Sequence, residues 1–91
     1  MLYALICTDK PDHTAVRMEN REAHLAYLRA DGHVVQAGPF VDAAGRMSGS
    51  LIIFDTDDRS HVEDFATGDP YGRAGLFADV RIELWNRVIG Q

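Results

Sequence analysis

The elements legible in this sequence predict an α+β fold, a ferredoxin-like βαββαβ antiparallel sheet with two helices on one face. Three observations carry that expectation. The chain has 91 residues, room for one core but not two, so residues 1–91 read as a single domain. Apolar residues make up 46% and charged residues 25%, the balance of a folded globular chain. Turn and cap signals then divide the chain into four extended and two helical segments in the order β-α-β-β-α-β.

Residues 2–8 read as the first strand, closed by the turn signal Lys10-Pro11-Asp12. Residues 13–31 read as a helix, with Asp12 as N-cap and Gly32 as the C′ stop. Residues 33–38 form a second strand ended by Gly38-Pro39, and residues 42–46 a hairpin-like loop. Residues 47–55 make a third strand around Leu51-Ile52-Ile53-Phe54. Ser60-His61-Val62-Glu63 matches a capping box and opens a second helix through about Thr67, ended by Gly68. Asp69-Pro70 restarts a short helical turn to about Gly75, and residues 77–88 are the last strand.

An antiparallel sheet with one wet face alternates apolar and polar residues. The first strand does not: residues 2–7 are apolar throughout, as are residues 51–54 of the third. Both faces of the sheet must therefore be covered there. Two helices cover one face, and the simplest cover for the other is the same sheet of a second copy. The last strand does alternate, with Val80, Ile82 and Leu84 on one side and Asp79, Arg81, Glu83 and Trp85 on the other. The expected partners are a second copy, in a homodimer or higher homo-oligomer, and a small-molecule ligand.

Charge and composition exclude other classes. The net charge is −5, Lys10 is the only lysine and the arginines are scattered, so no basic footprint for nucleic acid or an anionic membrane is present. No apolar run approaches the roughly 18 residues of a membrane-spanning helix. The apolar start lacks a basic segment and soon meets Asp9 and Lys10, so no signal peptide is expected. The single cysteine, Cys7, excludes an intramolecular disulfide and suits a reducing cytoplasm. His13, His33 and His61 lack metal-ligand spacing and read as surface or loop residues. The glycines form no dinucleotide or phosphate-loop fingerprint. No metal and no cofactor is expected.

Chemistry concentrates in two places. At about 100° per residue, Thr14, Met18, Leu25 and Leu28 of the first helix share a stripe, with Arg21 in its middle and Arg17 and His24 at its edge. A guanidinium amid apolar residues needs a carboxylate or carbonyl partner, or must snorkel to water. His24 at the stripe edge is placed to line a cleft. Asp69-Pro70-Tyr71 is the second place. Asp at N-cap with Pro at N1 simply opens a turn, but a carboxylate there also orients a histidine and fixes its tautomer. One Asp69 oxygen is expected to cap while the other faces His24. Ser50 and Tyr71 offer hydroxyls to a polar substrate, and Gly38 and Pro39 permit close backbone approach.

Taken together, Met1-Leu2-Tyr3, Arg21-Glu22-Ala23-His24-Leu25, Ala37-Gly38-Pro39, Gly49-Ser50, Asp69-Pro70-Tyr71 and Ala74-Gly75-Leu76 resemble the YciI-like family of the dimeric α+β barrel superfamily, over nearly the whole chain. The resemblance implies two protomers packing into a dimeric α+β barrel, and a His24–Asp69 pair in a pocket. Relatives resemble muconolactone isomerase in fold, and some are linked to dehydrochlorination of chlorinated hydroxyquinols. The segment after Gly38-Pro39 is short here, with Phe40 following, which sets this pocket mouth apart from the family's.

Two functions follow. In the first, the protein is a cofactor-independent enzyme of lyase or isomerase type, moving a proton beside a carbonyl of a small anionic molecule. His24 and Asp69 are then catalytic, with Arg17, Arg21, Ser50, Tyr71, Gly38 and Pro39 contacting substrate. In the second, the same fold is a non-catalytic dimer that binds a small molecule or regulates a partner. A haem-binding or oxygenase-type barrel is a third, weaker reading.

Overall fold

The computed structural model describes residues 1–90; Gln91, the last residue of the expected domain, lies outside the described residues. The elements are β1 (Leu2–Asp9), α1 (Thr14–Ala30), β2 (Val34–Val41), β3 (Met47–Asp55), α2 (Arg59–Gly68), a one-turn α3 (Pro70–Arg73) and β4 (Phe77–Trp85). The sheet order is β2-β3-β1-β4, and every pairing is antiparallel. This is the split βαβ arrangement that the element order predicts.

The central strands β1 and β3 divide their side chains between two faces. Leu5 lies opposite Ile52 and Ile82, on the side where Cys7, Phe54, Val62 and Phe65 close the core beneath the helices. Ala4 opposite Ile53, and Ile6 opposite Leu51, occupy the other side. That second face carries no helix. It forms a groove of about 640 Å³ between residues of β2 such as Phe40 and residues of β4 such as Trp85, both of them about two-fifths exposed. The doubly apolar strands thus have one face buried in the core and one presented by the sheet.

Local boundaries shift from the sequence expectation for identifiable reasons. Asp12 does not cap α1. It takes the left-handed turn position (φ 59°) after Pro11, which aspartate tolerates. The N-cap position falls to His13, which makes no side-chain cap and instead donates Nδ1–H to the Pro11 carbonyl (2.7 Å). Gly32 follows the C-cap residue Asp31 but is not among the left-handed glycines. Asp58, not Ser60, caps α2: its Oδ1 accepts from Ser60 N (2.9 Å) and Ser60 Oγ (2.6 Å). A carboxylate one residue ahead of the helix takes the Ser60 amide, which the expected box assigned to the Glu63 side chain.

The second strand does not stop at Gly38-Pro39 but runs on to Val41. β2 is an edge strand, where a missing proline N–H need not interrupt the ladder. The residues following Gly38-Pro39 are therefore strand, and the connection is confined to 42–46. β4 ends at Trp85 rather than residue 88. Beyond it Arg87 lies over the Trp85 ring (5.8 Å) and donates to Gln36 Oε1 (2.7 Å) on β2, so this segment leaves the ladder.

Gly49 is required by close approach. A Cβ there would run into the Cys7 carbonyl oxygen of the neighbouring strand, with the Phe40 ring 3.2 Å away. Backbone cannot yield as a side-chain tip does. Gly49→Ala is expected to destabilise the fold by about 2–3 kcal/mol, read as a lowered urea midpoint; an unchanged midpoint would show that β1 and β3 separate freely at this point.

Candidate functional site

The buried residues of α1 are both polar, Arg17 and His24. They lie seven residues apart, two turns along one helix face. This reverses the stripe expected from apolar spacing. Met18 is 53% exposed, and Thr14 and Arg21 are also exposed, whereas Arg17 and His24 are 2% and 5% exposed. Burial here follows partners rather than hydrophobicity, since a charge enters the interior only with a counter-charge or hydrogen bonds.

Arg17 has both. Its Nε donates to Asp9 Oδ2 (2.7 Å) and its Nη2 to Asp9 Oδ1 (2.9 Å) and Ser50 Oγ (2.9 Å). Burial works to lower the Arg17 pKa, but the Asp9 carboxylate outweighs it and holds the guanidinium above its ordinary value. Nothing in the sequence signals Asp9, an acid beside a turn eight positions before Arg17.

His24 is held by Asp69, which stands between α2 and α3 as C-cap of one and N-cap of the other. Asp69 Oδ1 takes His24 Nδ1 (2.8 Å) and also accepts from Tyr71 N (2.9 Å). One oxygen therefore does both tasks, where the sequence suggested one for each. Among the described residues Oδ2 is buried and has no partner. A carboxylate only accepts, so Nδ1 must donate and the Nε2 lone pair of the neutral ring is left free. The Tyr71 ring stacks on the imidazole (centroids 3.9 Å, planes 15° apart), and the Arg17 guanidinium lies over Tyr71 at 4.6 Å.

These groups open on a cleft of about 200 Å³ between α1 and the sheet. Arg17, Arg21, His24, Ser50 and Tyr71 are its polar lining; Leu25, Leu28, Met47 and Ile52 are apolar walls, and Gly38 and Pro39 of β2 complete it. Seven of the eight site residues named from the sequence line this one cleft; Asp69 does not, and reaches it only through its bond with His24. Burial raises the Tyr71 hydroxyl above its ordinary pKa, although the neighbouring Arg17 and Arg21 work to lower it. The phenol is therefore a donor at neutral pH. Ser50 Oγ accepts from Arg17, which leaves its own proton to donate.

The remaining histidines are tied to structure elsewhere. His33 Nδ1 donates to the Asp55 carbonyl (3.1 Å), and His61 Nε2 contacts Asp31 Oδ2 (2.8 Å), tying α2 to the C-cap of α1. His33 meets His61 edge-on, with centroids 4.6 Å apart. Among the described residues no group of three or more His, Cys, Asp or Glu is arranged to hold a metal, and no helix is long and apolar enough to cross a membrane.

Comparison with known proteins adds the following. The model of the YCII-related domain matches residues 1–86. Protein YciI of Escherichia coli is 32% identical, the match covering 97% of this chain and 99% of that protein. A Haemophilus influenzae protein is 31% identical with the same coverage. Among solved structures, the 5-chloro-2-hydroxyhydroquinone dehydrochlorinase of Burkholderia phenoliruptrix, in complex with 2,5-dihydroxybenzoquinone, is 34% identical and superimposes with a TM-score of 0.87 over 94% of each chain. An antibiotic biosynthesis monooxygenase at 16% identity and a TM-score of 0.61 shares the fold.

Cys7, on the core side of β1 and opposite Ser50 in the sheet, reports on the core beside this site. Burial above all, with a further push from Asp69, raises its thiol pKa from 9.0 to about 12. The folded thiol thus keeps its proton where the unfolded one releases it. Stability is unaffected below about pH 8 and falls as pH rises from 9.0 towards 12, because the unfolded state binds fewer protons there. Iodoacetamide at pH 8 is expected to leave native Cys7 unmodified and to alkylate it in urea; rapid labelling of native protein would show that the core admits solvent.

Proposed function

The chain belongs to the family of the YCII-related domain, and from that premise we propose that it is a cofactor-independent enzyme of lyase or isomerase type acting on a small anionic or carbonyl-containing molecule. One observation carries the proposal: the buried 2.8 Å contact between His24 Nδ1 and Asp69 Oδ1, in a histidine that lines a cleft with its second nitrogen free.

The chemistry follows from the lining. His24 Nε2 removes a proton from carbon beside a carbonyl, and the Asp69 carboxylate stabilises the imidazolium that forms. Negative charge then develops on the carbonyl oxygen. The exposed Arg21 at the cleft, or Arg17 beneath it, faces that charge, and the Ser50 and Tyr71 hydroxyls donate hydrogen bonds to it. Gly38 and Pro39 form the backbone wall against which the molecule lies. Return of the proton from imidazolium to another carbon gives isomerisation; departure of a leaving group with its electron pair gives elimination. The dehydrochlorinase relative supports the second branch.

The working form in this proposal is a cytoplasmic homodimer. Its support is the groove lined by Ala4, Ile6, Leu51 and Ile53. Laying the same face of a second copy against it buries the apolar residues of both in a closed barrel. A non-catalytic ligand-binding or regulatory dimer is the second reading. It is favoured by the bond from Tyr71 N to Asp69, which explains the carboxylate by capping alone.

The two readings separate in one assay of wild type and His24→Ala against small hydroxyhydroquinones and oxo acids, starting with 5-chloro-2-hydroxyhydroquinone. Turnover that falls about 10²–10⁴-fold in His24→Ala, with the melting curve little changed, is expected of a proton-transfer residue. A wild type that turns over none of these probes, with a His24→Ala variant that melts early, would assign the pair to structure in a non-catalytic dimer. For assembly, Ile53→Asp is expected to convert a two-chain species to one chain in sedimentation; a wild type already sedimenting as one chain would remove the dimer.

A further inference from the structure

We propose that Asp9 and Arg17 are positioning residues for His24, acting through the ring of Tyr71; this rests on the role in proton transfer given to His24 above. A single hydrogen bond to Asp69 places one corner of the imidazole and leaves the ring free to swing about that bond. The plane is set by Tyr71, stacked at 3.9 Å and 15°. Tyr71 is anchored at its backbone, where N–H donates to the same Asp69 oxygen. Over the aromatic ring itself lies the Arg17 guanidinium, 4.6 Å from its centroid.

Arg17 does not choose its own place. Two of its nitrogens are fixed by the Asp9 carboxylate and one of these also by Ser50, on strands that pair through Cys7 and Ser50. Both side chains of the ion pair are buried, at 2% and 7% exposure. A planar fork held at two points is rigid in a way an ammonium is not. Three stacked or overlying planes thus connect a strand carboxylate to the imidazole. Asp9 lines no part of the cleft, and its carboxylate oxygens are both taken by Arg17. Of the two arginines at the cleft, Arg17 has three N–H bonds committed, while Arg21 is exposed.

The experiment reads His24 directly. Carbon-bound protons of an imidazole stacked on a tyrosine are shifted upfield by the ring current, and Tyr71→Leu gives their position without it. In Asp9→Asn and Arg17→Gln the His24 protons are expected to move towards the Tyr71→Leu position, with a smaller movement in Arg17→Lys, which keeps the charge and loses the fork. The shift needs no substrate, so its failure is separate from failure of the enzymatic reading. On a probe that wild type turns over, Asp9→Asn is expected to lower kcat with little change in KM. His24 protons at their wild-type shifts in folded Asp9→Asn would overturn the proposal, as would a moved shift with unchanged kcat. Should Asp9→Asn fail to fold, unchanged shifts in Arg17→Lys overturn it equally.

Discussion

The arrangement depends on one carboxylate. Asp69 ends α2, begins α3 and receives both the Tyr71 amide and the His24 imidazole on a single oxygen. Two helical segments and the middle of a third are thereby tied at one atom, 1% exposed as a residue. Its cap alone is worth about 1 kcal/mol by the usual measure of helix caps. Its larger effect is geometric, because it decides which imidazole nitrogen carries the proton and which faces the cleft.

α1 is the unusual element. Helices in small domains bury apolar stripes, but the buried residues of this one are an arginine and a histidine. Desolvating such groups is unfavourable, and paired burial seldom adds net stability. The compensation is local and complete for Arg17, through Asp9 and Ser50, and less so at Asp69, whose second oxygen is buried without a partner among the described residues. A helix that accepts this arrangement places a charged fork, a phenol and an imidazole against one another in a cleft walled by Leu25, Leu28, Met47 and Ile52. In a low-dielectric setting each of these groups acts more strongly on its neighbours than it would in water.

The two faces of the sheet divide the labour. Leu5, Cys7, Ile52 and Phe54 pack in the core under the helices, and Ile52 also lines the cleft. Ala4, Ile6, Leu51 and Ile53 point the other way and leave an apolar groove. Alternation along β1 and β3 thus serves a core on one side and a presented surface on the other; the polar side chains of the site lie on the core side, while Gly38 and Pro39 border both the cleft and the groove.

Much was legible beforehand. Gly and Pro punctuation, with runs such as Leu51 to Phe54, placed every element, because backbone preferences and strand periodicity act locally. Asp69-Pro70 announces a helical turn for the same reason, and Gly38, Pro39, Ser50 and Tyr71, expected as substrate contacts, lie in the lining of one cleft. The stripe on α1 was misread: apolar spacing put Arg21 inward and Arg17 at the margin, and the fold does the opposite. Helical periodicity weighs each side chain by its own hydrophobicity, whereas burial of Arg17 is decided by Asp9 and Ser50, which arrive from other strands. Local chemistry written in the chain determined the elements, their order and the capacity of Asp69 to cap. Tertiary structure decided which charges meet, since a contact between His24 and Asp69, 45 positions apart, exists only once sheet and helices have closed around it.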